Sequence, residues 1–499
     1  MSNSILARTA LSAGWVIGWR MATRVLGLIS TLILVRLLMP EDFGVVALGA
    51  AFAQAVDTMS VLGTDDALIR EHEPTRAMYD TAFTLNAMRG VLTGLIVAAG
   101  AWPTAEFFGE PRLTSLLLAL AGLSVIDGWL NIGVVDFRRN FQFHKEFLLN
   151  IMPRVFSVGV TIAAAALFQS YWALVAGQAT FRVLRVFASY RMHPYRPRFS
   201  LAAWRGLMLF SAWTWVLAVV QMMAARVDAF VIGRSLGAGS VGAYALGIEI
   251  ASLPTTEIVD PLGRAAYSGF SATRREGGTR ALFNRLVANS LLITWPAGLG
   301  VSMVADPLVR VALGERWLLV VPVIQVLSLA CGFATFGNLA LMLLRTHGYL
   351  ATTCALALLG LLAKIALIGT LLHFYGLPGA ATGAAIAIVF ESLLQLATVV
   401  VTQRMPLRPL LARCWRVAVA CAVMAGMLSM AGLAWTGWSE SFSASMLRLL
   451  GSAALGCAAY AATLSVLWAA QGRPDGAEAD MLGTLGRLLR TIRRQVAPG

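Results

Sequence analysis

The residues of this sequence that could do chemistry are arginines and carboxylates inside long apolar runs. Eleven basic side chains lie within such runs, and nine of them lie in the first eight runs of the chain. Ionisable groups inside a membrane are costly, so they face protein or a water-filled cavity. We therefore expect a polar cavity that accepts a large anionic group. Its candidate binding residues are Arg20, Arg24, Arg182, Arg226 and Arg264.

Carboxylates accompany these arginines and are candidates for a second kind of chemistry, the binding of a coupling cation. A carboxylate inside the membrane gains or loses a proton according to whether an arginine or water lies beside it. The acids best placed to bind a proton or a sodium ion are Asp57, Asp228, Glu249 and Glu257. The competing interpretation is that these four acids form permanent structural ion pairs.

Matching depths along neighbouring predicted helices indicate which pairs would form. Arg24 on the first helix and Asp57 on the second lie at similar depth. Arg226 on the seventh helix and Glu249 on the eighth match in the same way. Arg24 also lies four residues after Arg20, which places both arginines on one helix face. Arg24 is therefore either the partner of Asp57 or an arginine that faces the substrate, and the sequence leaves both interpretations open.

The sequence has no pattern typical of an enzyme or of a metal site. Its five cysteines lie in apolar stretches without CxxC spacing, and its five histidines lie in or beside loops without ligand spacing. Zinc and disulfide frameworks require such spacings. We expect no catalytic residues, no metal and no cofactor apart from the coupling ion.

The elements that must position these charges are long apolar helices. AVILMFWYC residues make up 58% of the 499 residues, DEKR residues make up 13%, and the mean hydropathy is +0.74. This composition excludes a soluble enzyme and predicts an all-α polytopic membrane protein of about 14 transmembrane helices. The predicted spans are 12–39, 43–69, 81–105, 113–136, 147–168, 170–190, 207–235, 241–267, 286–305, 318–344, 350–372, 377–402, 417–435 and 446–470.

Basic residues are distributed unevenly between alternate predicted loops. The chain has 39 Lys and Arg against 25 Asp and Glu, which gives a net charge of +14. Loops on one side hold 24 of the basic residues, and loops on the other side hold 4. Because cytoplasmic loops carry the excess of Lys and Arg, this split predicts an inner (plasma) membrane protein with both termini in the cytoplasm. It also accounts for the basic composition without any nucleic acid partner.

An internal repeat divides the predicted helices into two halves. A shift of 198 residues places Gly44 on Gly242, and Gly109-Glu110 recurs as Gly314-Glu315. Because the shift equals six helices, it gives two parallel six-helix lobes around a central cavity, plus two extra C-terminal helices. The predicted domains are an N-lobe at 1–205, a C-lobe at 206–405, the extra helices at 406–470, and a cytoplasmic amphipathic basic tail at 471–499.

Several segments carry a pattern that is recognisable by its order and spacing. They include 34–48 (LVRLLMPEDFGVVAL), 172–178 (WALVAGQ), 232–237 (IGRSLG) and 313–317 (LGERW). The sequence resembles the Wzx-type polysaccharide flippases of the multidrug/oligosaccharidyl-lipid/polysaccharide exporter superfamily, in the branch of the colanic-acid and succinoglycan exporters. The resemblance covers about residues 10–405.

The resemblance implies a flippase that moves undecaprenyl-diphosphate-linked oligosaccharide repeat units across the inner membrane by alternating access of two lobes. The product would serve exopolysaccharide, capsule or O-antigen synthesis. The implied partners are the lipid-linked oligosaccharide, membrane lipids, a polysaccharide polymerase and glycosyltransferases. Related lipid II flippases use cavity arginines on helices one, two and eight. Arg24 and Arg264 match the first and last of these positions, whereas helix two offers Asp57 instead.

Two other functions compete with this expectation. A cation-coupled multidrug exporter of the MATE type belongs to the same superfamily, but a cavity with this many arginines would repel cationic drugs. A polysaccharide polymerase or ligase would need a sizeable external loop, whereas the longest predicted one has about a dozen residues.

Overall fold

The computed structural model describes residues 2–60, 63–71, 73–140, 142–204, 212–276, 278–435, 441–474 and 476–480. Side chains are described for these residues except 2–17, 19–20, 70, 212–214, 257–269, 271–276 and 407. Throughout these ranges the regular elements are helices, with no strand. The all-helical class predicted from the sequence is therefore confirmed.

Within the described residues, eight helices are long and apolar enough to cross a membrane. The number rises to nine if the bent pair Arg112–Gly128 and Ile132–Arg139 forms one span. Two of the long helices break at a glycine: Ala212–Glu276 at Gly237 and Leu350–Thr402 at Gly376. The chain is thus a polytopic membrane protein, and the count of about 14 spans stays a prediction.

The chain divides into two compact units, and the first covers Met1–Gly242. Its helices are α1 (Ser2–Leu37), α2 (Pro40–Met59), α3 (Thr64–Arg70), α4 (Arg76–Ala99), α5 (Ala101–Phe108), α6 (Arg112–Gly128), α7 (Val135–Arg139), α8 (Phe143–Phe168), α9 (Trp172–Met192) and the first part of α10 (Ala212–Glu276). The helix α6 packs against α2, α4 and α9, while α8 packs against α1 and α9.

The first unit extends beyond residue 205, where the sequence analysis placed the end of the first lobe. The part beyond residue 205 includes a close contact of α10 with α2. A Cβ atom on Gly44 would lie 1.7 Å from the Ala238 carbonyl oxygen, and a Cβ atom on Gly242 would lie 2.0 Å from the Pro40 carbonyl oxygen. Only glycine allows two backbones to approach so closely. The predicted lobe boundaries at residues 205 and 405 follow from the sequence repeat, and this division into lobes stays a prediction.

The second unit covers Ala243–Gly499. Its helices are the rest of α10, α11 (Thr279–Met303), α12 (Ala305–Ala312), α13 (Val321–Thr346), α14 (Leu350–Thr402), α15 (Leu407–Met430) and α16 (Phe442–Ala470). The predicted extra helices correspond to α15 and α16, and both pack on α11 in one buried cluster that includes Ala288, Val417 and Leu464.

The residues after α16 are fastened to this unit by ion pairs. Arg416 and Glu478 are both buried and join through Nε and Oε1 at 2.8 Å. Asp480 accepts hydrogen bonds from Arg285, which hold the pKa of this carboxyl below its usual range. The predicted amphipathic tail lies largely in 481–499, outside the described residues.

Corresponding breaks recur in the two units. The helix α4 ends before the eight-residue helix α5, and α11 ends before the eight-residue helix α12. Each short helix is followed by a glycine with positive φ, Gly109 at 64° and Gly314 at 92°. These glycines precede Glu110 and Glu315, the residues that the sequence repeat equates.

Candidate functional site

Four helices of the first unit bring ionisable side chains together. The group consists of Asp57 on α2, Arg89 on α4, Asp127 on α6, and Arg182 and Arg185 on α9, and we call it the charged cluster. Arg182 and Arg185 share a helix face because they are three residues apart. Of these helices, α4 is long and apolar enough to cross a membrane by itself, and α6 is so when it is taken together with the bent segment that follows it.

Two ion pairs of different character hold the cluster. Arg182 Nη1 lies 2.6 Å from Asp127 Oδ2, and the two side chains are 27% and 35% exposed. Arg89 Nη1 lies 3.3 Å from Asp57 Oδ1, and here the carboxylate side chain is 50% exposed. The first pair is therefore shorter, and its acid is less exposed than the acid of the second pair.

Arg185 gives the cluster an excess positive charge. Among the described residues it has no carboxylate within ion-pair distance, and its Nε is buried without a hydrogen-bond partner. Asp127, Asp65 and Glu146 act on it electrostatically, but Asp127 is already bonded to Arg182 and Glu146 to Arg138. The cluster thus holds three guanidinium groups against two carboxylates. Burying a charge without a full counter-charge is unfavourable, so this arrangement suits the entry of an anion.

Arg226 adds another positive charge beside the same face of α2. Its guanidinium donates a hydrogen bond to the side-chain oxygen of Gln54, which lies one turn before Asp57. Gln54 is neutral, and among the described residues no carboxylate lies within ion-pair distance of Arg226. Matching depths in the sequence suggested Glu249 as the partner of Arg226, and the structure gives it Gln54 instead.

The other predicted site residues have different environments. Arg24 has a buried Nε, and one turn further along α1 a Cβ atom on Gly27 would lie 3.9 Å from Arg154 Nη2. Asp228 is 4% exposed, whereas Glu249 is exposed. The side chains of three predicted residues lie outside those described: Arg20, Glu257 and Arg264.

The sequence leaves open whether Asp57 pairs with Arg24, and the structure pairs Asp57 with Arg89 on α4. Sequence reasoning compared depths only between successive helices and so did not consider α4. It also left Arg89, Asp127 and Arg185 out of the candidate site. The available signal was that all three lie well inside apolar helices of one predicted lobe.

A polar segment at the end of α9 supports the cluster. We call residues 193–203 the strap, because hydrogen bonds fasten them to the start of α4. Tyr195 Oη donates to Asp80 Oδ1 at 2.5 Å, and the backbone N–H of Arg198 donates to the same oxygen at 2.9 Å. Burial and the contact with Asp80 raise the pKa of Tyr195. The strap therefore holds the end of α9 against α4, the two helices that carry the arginines of the cluster.

No group of three or more His, Cys, Asp or Glu able to hold a metal occurs in the described part of the chain. The side chains that meet in and beside the charged cluster are guanidinium groups, carboxylates and the amide of Gln54. Such groups can bind an anion, exchange ion-pair partners and take up a proton.

Comparison with known proteins gives a consistent result. The model of the family described as "polysaccharide biosynthesis protein" matches residues 33–322. The chain is 25% identical over 341 residues to the succinoglycan biosynthesis transport protein ExoT of Rhizobium meliloti, covering 67% of this chain and 69% of that one. It is 23% identical over 320 residues to the lipopolysaccharide biosynthesis protein WzxC of Escherichia coli, covering 63% and 65%.

Solved structures show the same fold. The lipid II flippase MurJ in an inward closed conformation aligns with a TM-score of 0.74 at 15% identity, covering 92% of this chain and 100% of that chain. A multidrug resistance MATE family transporter in an inward-facing conformation aligns with a TM-score of 0.61 at 14% identity, covering 75% and 93%.

Proposed function

The chain belongs to the polysaccharide biosynthesis protein family of Wzx-type flippases, and from this premise we propose that it flips undecaprenyl-diphosphate-linked oligosaccharide repeat units. The movement runs from the cytoplasmic to the periplasmic leaflet of the inner membrane. It is a transport protein and not an enzyme, in keeping with the names of the transport protein ExoT and the flippase MurJ. Its product feeds a polysaccharide polymerase, and its substrate comes from glycosyltransferases.

The observation that carries this proposal is the excess of guanidinium groups in the first unit. Arg185 has no ion-pair partner among the described residues, and Arg226 is bonded to a neutral amide. A diphosphate carries negative charges on oxygens that match the planar fork of arginine. We therefore assign the diphosphate to the neighbourhood of Arg182, Arg185 and Arg226, while the lipid tail stays in the bilayer.

The remaining parts of the mechanism follow from the predicted architecture. Two six-helix lobes rock about the substrate, and Arg20, Arg24 and Arg264 add contacts as the cavity changes its opening. The carboxylates Asp57, Asp228, Glu249 and Glu257 bind the coupling proton or sodium ion in this scheme. These assignments add residues outside the charged cluster to the proposed transport site. The transport involves no covalent chemistry.

Export of cationic drugs is the second candidate, because a multidrug transporter shares the fold. The charge of the site argues against it. Three guanidinium groups face two carboxylates in the cluster, so a drug with a positive charge would be repelled. The same excess of positive charge would attract an anionic lipid-linked substrate.

The test is flipping of a fluorescent lipid-diphosphate oligosaccharide in vesicles that contain the purified protein. We expect Arg185→Ala and Arg226→Ala to slow flipping by about tenfold or more, since hydrogen bonds to charged groups contribute about 1.5–3 kcal/mol. Arg185→Lys should recover part of the rate, because a point charge replaces the fork. The matched control is Arg408→Ala, an exposed arginine at the start of α15. Wild-type flipping by folded Arg185→Ala and Arg226→Ala would contradict the assignment.

A further inference from the structure

Asp127 occupies a position that the proposed function does not explain. Its Oδ2 lies 2.6 Å from Arg182 Nη1, which makes this the shortest ion pair of the charged cluster. Arg185 lies three residues along the same face of α9 and also acts on Asp127 electrostatically. One carboxylate therefore faces the two guanidinium groups that we assign to the substrate.

A carboxylate and a phosphate compete for a guanidinium group. Both bind the same fork of N–H donors, often through two parallel hydrogen bonds. If Asp127 holds Arg182, then a phosphate that approaches Arg182 meets an occupied donor and a negative charge. The carboxylate must leave before the phosphate can take its place.

We propose that Asp127 is an internal competitor for the anionic group of the substrate, a role that rests on the proposed function. In the empty state its carboxylate neutralises Arg182. When the diphosphate enters, it displaces Asp127 and bridges Arg182 and Arg185. When the substrate moves on, Asp127 returns to Arg182 and prevents rebinding.

The surroundings of Asp127 support such an exchange. The charged groups that act on it are Arg182, Arg185, Arg89 and Asp57. Its side chain is 35% exposed, so it can turn away into water at small cost once Arg182 is taken. The nearby acid Asp57 adds repulsion that favours this departure, whereas Arg185 holds the carboxylate within reach for its return.

This role has an unusual consequence for an acid-to-amide change. Asp127→Asn removes the competitor, so the free arginines should bind an anion more tightly. The same change should slow transport, because the substrate is no longer displaced from its site. A merely structural acid would instead weaken binding and transport together.

The experiment measures the Kd of inorganic pyrophosphate for the purified full chain in detergent, together with flipping in vesicles. We expect Asp127→Asn to lower the Kd by about tenfold, the effect of removing one charge-assisted contact, and to slow flipping. The double variant Asp127→Asn with Arg182→Ala should lose this gain. The matched control is Asp306→Asn, whose carboxylate pairs with Arg310 at 3.0 Å in the second unit. Its Kd should equal that of the wild type.

Each result decides between the two proposals. If the wild type binds pyrophosphate and Arg182→Ala weakens binding, but Asp127→Asn leaves the Kd unchanged or raises it, the exchange is wrong and the anion site stands. If neither the wild type nor Asp127→Asn binds pyrophosphate, the anion site is itself wrong. Thermal unfolding establishes that the variants are folded. Asp127→Ser, also neutral, replaces the amide variant if that variant does not fold.

Discussion

The two carboxylates of the charged cluster differ in exposure, and this difference separates their roles. Asp127 is held in a short pair, whereas the Asp57 side chain is half exposed and lies 3.3 Å from Arg89. An exposed ion pair contributes little to stability, about 0–1 kcal/mol. Asp57 can therefore exchange Arg89 for water or a cation without disturbing the fold, as a coupling carboxylate must.

We expect Asp57→Asn to fold normally but to lose the response of flipping to an imposed pH or sodium gradient. Asp228 provides the contrast, because it is only 4% exposed. Changing a buried polar group costs about 1–3 kcal/mol, so Asp228→Asn should also lower the thermal unfolding temperature in detergent. Gradient-driven flipping by a stable Asp57→Asn variant would exclude this acid from coupling.

The sequence predicts which helices carry charged residues, but it does not predict which charged residues form ion pairs with one another. The depth of a residue follows from its distance to the end of an apolar run, at 1.5 Å per residue. The rotation of a helix about its own axis does not follow from depth. Asp57 was therefore matched with Arg24 on a neighbouring helix, while the packing of α2 on α4 turns it toward Arg89.

At the scale of elements, α2 and α10 contact each other through a glycine on each helix, and each glycine lies against the backbone of the other helix. Gly44 approaches the backbone of Ala238, four residues before Gly242, and Gly242 approaches Pro40, four residues before Gly44. Gly44 and Gly242 are also the residues that the sequence repeat equates. A two-fold relation between copies of one element produces this pattern, in which each copy contacts the other through the same position.

This contact predicts that Gly242→Ala impairs both packing and flipping. The added Cβ would lie 2.0 Å from the Pro40 carbonyl oxygen, whereas an ordinary contact needs about 3.5 Å. The helices must separate, at a cost of about 1–3 kcal/mol. The matched control is Gly239→Ala on the same helix, where the new Cβ would meet only the flexible Glu41 side chain at 3.3 Å. Equal stability and equal flipping rates for the two variants would contradict this account.

The helices themselves were predictable because apolar runs of sufficient length leave few alternatives in a membrane. The breaks inside the helices were harder to predict from the sequence. The sequence placed one span at 81–105, whereas the structure divides that region into α4 and α5 at Gly100. Hydropathy averages over such a break, since the residues on both sides are apolar.

At the scale of the whole molecule, the distribution of charge predicts the orientation of the chain. The predicted cytoplasmic loops hold 24 basic residues and the opposite loops hold 4. Arg280 lies at the start of α11, on the predicted cytoplasmic side, and Ser441 lies just before α16, on the predicted opposite side. Both residues are exposed, so each can report the side on which it lies.

We expect a cysteine at Ser441 to react with a membrane-impermeant maleimide in intact cells, and a cysteine at Arg280 to react only after permeabilisation. The background must lack the five native cysteines, of which Cys457 is exposed. The reason is that Lys and Arg near the ends of spans retain their loops in the cytoplasm. Labelling of position 280 in intact cells would invert the orientation. The strap follows a predicted cytoplasmic end as well, so inversion would also place it in the periplasm and reverse the direction from which the substrate first meets the charged cluster.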